Sequence, residues 1–139
     1  MSALAEALIA AQAELPTSLK RDAANADAGF RYMTLDALIA ATRPILTEHG
    51  LAIMQWPTTI TRKDDNGNEH VAPGLATNLV HESGESWKDT MPLYLTDKTM
   101  QGLGAAITYA RRYAWASALG IAAEEDTDAA PMPEGDVPF

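Results

Sequence analysis

Leu4, Leu8, Ala11 and Leu15 recur at helical spacing, and Pro16 ends the pattern, so residues 3–15 predict a short amphipathic helix. Residues 16–33, rich in Ala, Asp and Asn, carry no period and read as irregular. A second helix starts at Thr34, a suitable N-cap. Leu35, Leu38, Ile39, Thr42, Ile45, Leu46 and His49 mark one face of it, Pro44 should kink it, and Gly50 closes it. Past Gly50 the period changes to that of strands. Residues 51–62 are rich in β-branched and aromatic side chains, and Asp64-Asp65-Asn66-Gly67-Asn68 gives a hairpin signal. Residues 69–81 and 86–95 return as second and third strands, separated by Glu82-Ser83-Gly84-Glu85. Three strands linked by hairpins make an antiparallel meander.

The last element covers residues 99–119. At about 100° per residue, Leu103, Ala106, Ile107, Ala110, Ala114, Ser117 and Ile121 form one stripe. On that wheel Arg112 lies opposite the stripe, Arg111 lies on its flank near Trp115, and Tyr109 and Tyr113 share the other flank. Trp115 and Leu119 extend the apolar surface beyond the stripe, which points to a central helix or a contact with a neighbouring subunit. The fold class predicted is α+β: N-terminal helices, a three-stranded antiparallel meander, a long helix and a tail. Residues 1–123 are expected to form one core domain. Residues 124–139 hold six acids, no base, three prolines and one glycine, and are expected to be a disordered acidic tail.

Composition changes this picture little. A 139-residue chain fits one domain. The absence of cysteine excludes disulfides, thiolate metal sites and cysteine nucleophiles. No apolar run is long enough for a membrane span, and the N-terminus lacks a signal-peptide pattern, so a cytoplasmic location is expected. The net charge of −9 argues against nucleic acid at first sight. Removing the six acids of the tail leaves thirteen acids against ten bases, and a nearly neutral domain can carry a local basic patch.

The candidate chemistry is correspondingly sparse. Gly102-Leu103-Gly104 lacks the third glycine and the lysine of a phosphate loop, and reads as small residues permitting close packing. His49, His70 and His81 are too scattered for a metal motif, and no nucleophile stands in a hydrolase context. No catalytic residue, metal or other cofactor is therefore expected, and no enzyme activity. What remains is arginine beside tyrosine, the pairing that grips single strands through phosphate contacts and base stacking. The DNA-binding candidates are Arg111, Arg112, Tyr109 and Tyr113, with Lys98 ahead of their helix and Arg62 and Lys63 beside the hairpin turn.

The segment from Gln101 to Ala114, with Thr108-Tyr109-Ala110-Arg111-Arg112-Tyr113 at its centre, resembles the ERF (essential recombination function) single-strand annealing proteins of bacteriophages and prophages. Phe30-Arg31-Tyr32, the junction Gly50-Leu51, the turn Ser83-Gly84-Glu85, and Leu119-Gly120-Ile121 before Glu124-Glu125-Asp126 extend the resemblance over residues 30–128. It implies a β-β-β-α core, homo-oligomeric rings or filaments, and single-stranded DNA held with its bases exposed. The activity implied is annealing of complementary strands without ATP, inside the bacterial host cell. By the same resemblance Arg111 and Arg112 are the phosphate contacts, and Arg112 is the stronger expectation because the wheel turns it outward. The tip Asp136-Val137-Pro138-Phe139 is similar to the acidic end of bacterial single-strand DNA-binding proteins. It suggests an alternative role as an adaptor that captures the host partners of those proteins.

Overall fold

A hydroxyl starts each described helix. The computed structural model describes residues 1–18 and 34–122. Ser2 Oγ accepts the Ala5 N–H to begin α1 (Ala3–Glu14), and Thr34 Oγ1 accepts the Ala37 N–H to begin α2 (Leu35–Glu48). Thr99 Oγ1 takes the Gly102 N–H at 3.0 Å to begin α3 (Met100–Leu119). In each case the side chain satisfies an amide that has no partner within the helix. Gly120 ends α3 in the left-handed conformation, φ 73°, where a Cβ is costly.

Between α2 and α3 the chain forms the meander. β1 (Leu51–Lys63) pairs antiparallel with β2 (Glu69–His81) from Leu51↔His81 to Lys63↔Glu69, and β2 pairs with β3 (Ser86–Pro92) from Val80↔Ser86 to Gly74↔Pro92. The β1–β2 turn is organised by Asp64, whose carboxylate accepts the amides of Asn66 and Asn68, both at 2.9 Å. β3 is shorter than its sequence pattern predicts. Pro92 has no N–H to continue the ladder, and Leu93 donates to the Pro73 carbonyl as it turns into the core.

The three described helices pack on one face of this sheet. The strand residues in the two apolar clusters are Leu51, Ile53, Leu75, Leu79 and Met91, which share one pleat parity in the observed register. One stripe of α3 lays Leu103, Ile107, Ala110 and Ala114 over Leu75 and Met91. Nearer its end, Trp115, Ala116 and Leu119 join a cluster with α1, α2 and the strand residues Leu51, Ile53 and Leu79. Trp115 is 2% exposed, and its Nε1–H donates to Thr42 Oγ1 at 2.9 Å, while that hydroxyl donates to the Leu38 carbonyl at 2.9 Å.

This arrangement corrects the single stripe predicted for α3. α3 lies between the sheet and the N-terminal helices, so beyond the face that covers Leu75 and Met91 it buries a second one toward α1 and α2. The second face is Trp115, Ala116 and Leu119, and Ser117, expected inside, is exposed. Trp115 and Leu119 fill the core of their own chain; they are not a subunit contact. Gly102 owes its place to the chain's own Asp97 carbonyl, which would stand 2.1 Å from an added Cβ. Among the described residues nothing stands within 4 Å of a Cβ added at Gly104, so close packing there explains only the first of the two glycines. Among the described residues no helix is long and apolar enough to cross a membrane.

Candidate nucleic-acid interface

Packing on two faces decides where the arginines of α3 point. Arg112 is 6% exposed, because it lies three residues before Trp115 and four before Ala116, on the face that turns inward. Its guanidinium carbon stands 5.2 Å from the Tyr109 ring centroid and 5.3 Å from that of Tyr113. The two rings are 4.6 Å apart and tilted by 42°. Such distances suit cation–π attraction, which strengthens as water is excluded. Arg112 therefore holds the tyrosine pair in place, and the outward orientation expected for it is incorrect. Tyr109 remains 51% exposed at the edge of this group.

Arg111 is the more accessible of the two. It lies over the strand pair at Gln55, which its Nε–H reaches at 3.3 Å. Gln55 Nε2 in turn donates to the Arg111 carbonyl and to Thr77 Oγ1, both at 3.1 Å. One side chain of β1 thus fixes the arginine's stem and backbone. Only the Nε–H of five guanidinium donors is used in these bonds. Gln55 was not legible as part of a site, since nothing in its local pattern shows that α3 crosses it.

The other candidates are dispersed. Lys98 is exposed beside the cap of α3. Arg62 and Lys63 are exposed near the end of β1, on opposite faces of the strand, and about 23 Å along it from Gln55 at the usual rise per residue. Beyond β3, residues 61–71 form a two-stranded arm exposed throughout. Within it, the Asp64 carboxyl is held below its ordinary range, first by the hydrogen bond with His70 and then by the amide of Asn68. The ion pairs between described residues are His49–Glu14 and His70–Asp64, so none of Arg62, Lys63, Lys88, Lys98 and Arg111 is neutralised by one. Tertiary folding also brings Glu14, Glu48 and His49 together, which sequence spacing did not suggest, as an exposed group on the surface. Phe30-Arg31-Tyr32, the acidic segment and residues 136–139 lie outside the described residues.

This arrangement has the parts of a single-strand grip: a guanidinium fixed by the sheet, a half-exposed tyrosine braced by a buried arginine, and cations outside ion pairs. The sequence model described as the ERF superfamily matches residues 4–135. No curated protein and no solved structure matches the chain.

Proposed function

The chain belongs to the ERF superfamily, recombination proteins of the single-strand annealing class, and we propose that it binds single-stranded DNA and anneals complementary strands without a nucleotide cofactor. The observation that carries this reading beyond membership is the arginine–tyrosine group on α3. Arg111 neutralises a phosphate, Tyr109 offers a ring to a base, and Arg112 keeps the ring from collapsing onto the helix. Lys98, and Lys63 on the helix side of the arm, extend the cationic track. A strand whose phosphates are neutralised repels its complement less, and duplex formation supplies the driving free energy.

Annealing of this kind requires many subunits along one strand, and the fold offers a way to assemble them. Among the described residues β1 and β3 are both sheet edges, and an open groove of ≈ 650 Å³ between β3 and α3 is lined by Trp87, Met91, Ala114 and Ser117. A contact that joins one edge of a subunit to the opposite edge of the next is heterologous, and it produces rings or filaments. The tail at residues 136–139 acts in this reading as a separate tether for host single-strand DNA-binding protein partners.

The test is direct. Complementary labelled oligonucleotides are mixed with the purified chain at low salt, without nucleotide, and duplex formation is followed. Acceleration over the protein-free rate supports the reading, and an unchanged rate overturns it. Deleting residues 136–139 should leave that acceleration intact while abolishing capture of host partners.

A further inference from the structure

The opposite face of the sheet carries a second, independent signal. In the observed register Met54, Trp56 and Arg62 of β1, Ala76 and Asn78 of β2, and Lys88 and Thr90 of β3 point away from the helices. Gly74 confirms the parity, since a Cβ built there would meet Ile60 Cδ1 at 2.9 Å and Thr90 Cγ2 at 3.1 Å, both outward residues. No strand residue of either core cluster belongs to this face. The chain has nineteen acids, yet every outward strand position is something other than Asp or Glu. The strand acids Glu69 and Asp89 fall on the helix side.

What the face displays is an aromatic ring beside a cation. Lys88 Nζ lies 4.8 Å from the centroid of the Trp56 ring. Trp56 is directly opposite Ala76, and Ala76 is opposite Thr90, so a small residue leaves room for the indole to lean over β2 toward Lys88. Ala76 is 1% exposed although it belongs to neither core cluster, as expected if the indole covers it. Met54, 49% exposed, adds apolar surface beside it. From Trp56 to Arg62 the face runs about 20 Å, enough for roughly six nucleotides at 3.4 Å rise.

We propose that this outer sheet face, centred on Trp56 and Lys88 and extending to Arg62, is a stacking platform for a single nucleic-acid strand, distinct from the α3 group. A base stacks on the indole, its phosphate meets the Lys88 ammonium, and Arg62 receives a phosphate further along. An acidic protein segment would also be attracted to the cations, but an indole–ammonium pair along an extended strip suits alternating bases and phosphates better. The proposal rests on the single-strand reading above and adds to it the place where one strand lies.

The experiment titrates labelled oligo-dT into the full chain and into Trp56→Ala, Trp56→Phe, Lys88→Ala and Arg111→Ala variants. Salt dependence and oligomeric mass are measured alongside, and thermal melts verify folding. Trp56→Ala is expected to weaken binding roughly 5- to 150-fold, the range for losing one stacked base, and Trp56→Phe to recover most of it. Lys88→Ala, at an exposed side chain, is expected to lower the salt slope by about 0.7, one phosphate on a single strand. Should Trp56→Ala fail to fold, Lys88→Ala decides alone. Wild-type affinity and slope in the Lys88 variant, with Arg111→Ala impaired, would overturn the platform and leave the α3 site standing. A change in oligomeric mass on Lys88→Ala with unaltered affinity per subunit would make the face a subunit contact, which also overturns it. No binding of oligo-dT by the wild-type chain would overturn the single-strand reading itself.

Discussion

Replacing Arg111 and Arg112 separately by alanine distinguishes a ligand contact from a brace, because the structure assigns the two neighbours opposite roles. Arg112 is 6% exposed and faces two rings at 5.2 and 5.3 Å. Desolvated cation–π attraction contributes about 2 kcal/mol. Truncation also removes two buried methylenes at about 0.8 kcal/mol each. Arg112→Ala should therefore cost about 3.5 kcal/mol of stability and lower the melting temperature by roughly 10–15 °C. Its effect on DNA should follow from the loosened tyrosines, lowering affinity with little change in salt slope. Arg111 is half-buried and makes a single side-chain bond, at 3.3 Å, to Gln55. Arg111→Ala should cost no more than about 0.5 kcal/mol of stability. It should weaken oligo-dT binding roughly tenfold at low salt, as for one charged hydrogen bond, and flatten the salt slope by about 0.7. Urea melts and anisotropy titrations at several salt concentrations measure both quantities. If Arg112→Ala melts like the wild type while reducing the salt slope, the buried-brace assignment is wrong and Arg112 is the phosphate ligand.

Thr42→Val keeps the volume but leaves the Trp115 indole N–H buried without its acceptor, which should cost about 1–3 kcal/mol; in a Trp115→Phe background the cost should fall by about 1 kcal/mol, and strict additivity in urea melts would refute the coupling. Gly102→Ala should destabilise by about 1–3 kcal/mol because its methyl meets the Asp97 carbonyl, whereas Gly104→Ala, in open space, should stabilise α3 by about 0.5–1 kcal/mol in the same melts. Glu85 accepts the Ala3 and Leu4 amides at the start of α1. Burial acts to raise its pKa, but hydrogen bonds from Ser83, Leu4, Ser2 and Ala3 outweigh it, so the carboxyl sits below its ordinary value of 4.5. A carboxyl with a depressed folded-state pKa stabilises fully above its unfolded value and stops doing so as pH falls through the folded one. Acid should therefore release α1 as pH drops below 4.5, and an identical acid profile in Glu85→Gln, followed by amide exchange in α1, would remove the explanation.

The local chemistry of the chain settled the elements and their order. Thr34 could be read as a cap, a hydroxyl followed by an apolar period of 3.6, and the structure adds Ser2 and Thr99 in the same role. The switch to β-branched residues after Gly50, broken by two polar turns, left a meander as the natural result. The resemblance in Thr108–Tyr113 pointed to the family that the match over residues 4–135 shows. Facing was beyond reach, because it depends on what lies across from a residue and not on what lies beside it. A single helical wheel assumes one buried side. α3 packs against the sheet on one side and against α1 and α2 on another, so Trp115, Ala116 and Leu119 buried a second side and carried Arg112 inward with them. The same limit hid Gln55, which matters only because α3 crosses it, and the pairing of Trp56 with Lys88, which sit two strands apart. Periodicity is a property of one segment and is written in the sequence. The contact between two segments depends on their lengths, crossing and register, and the tertiary structure alone determines it.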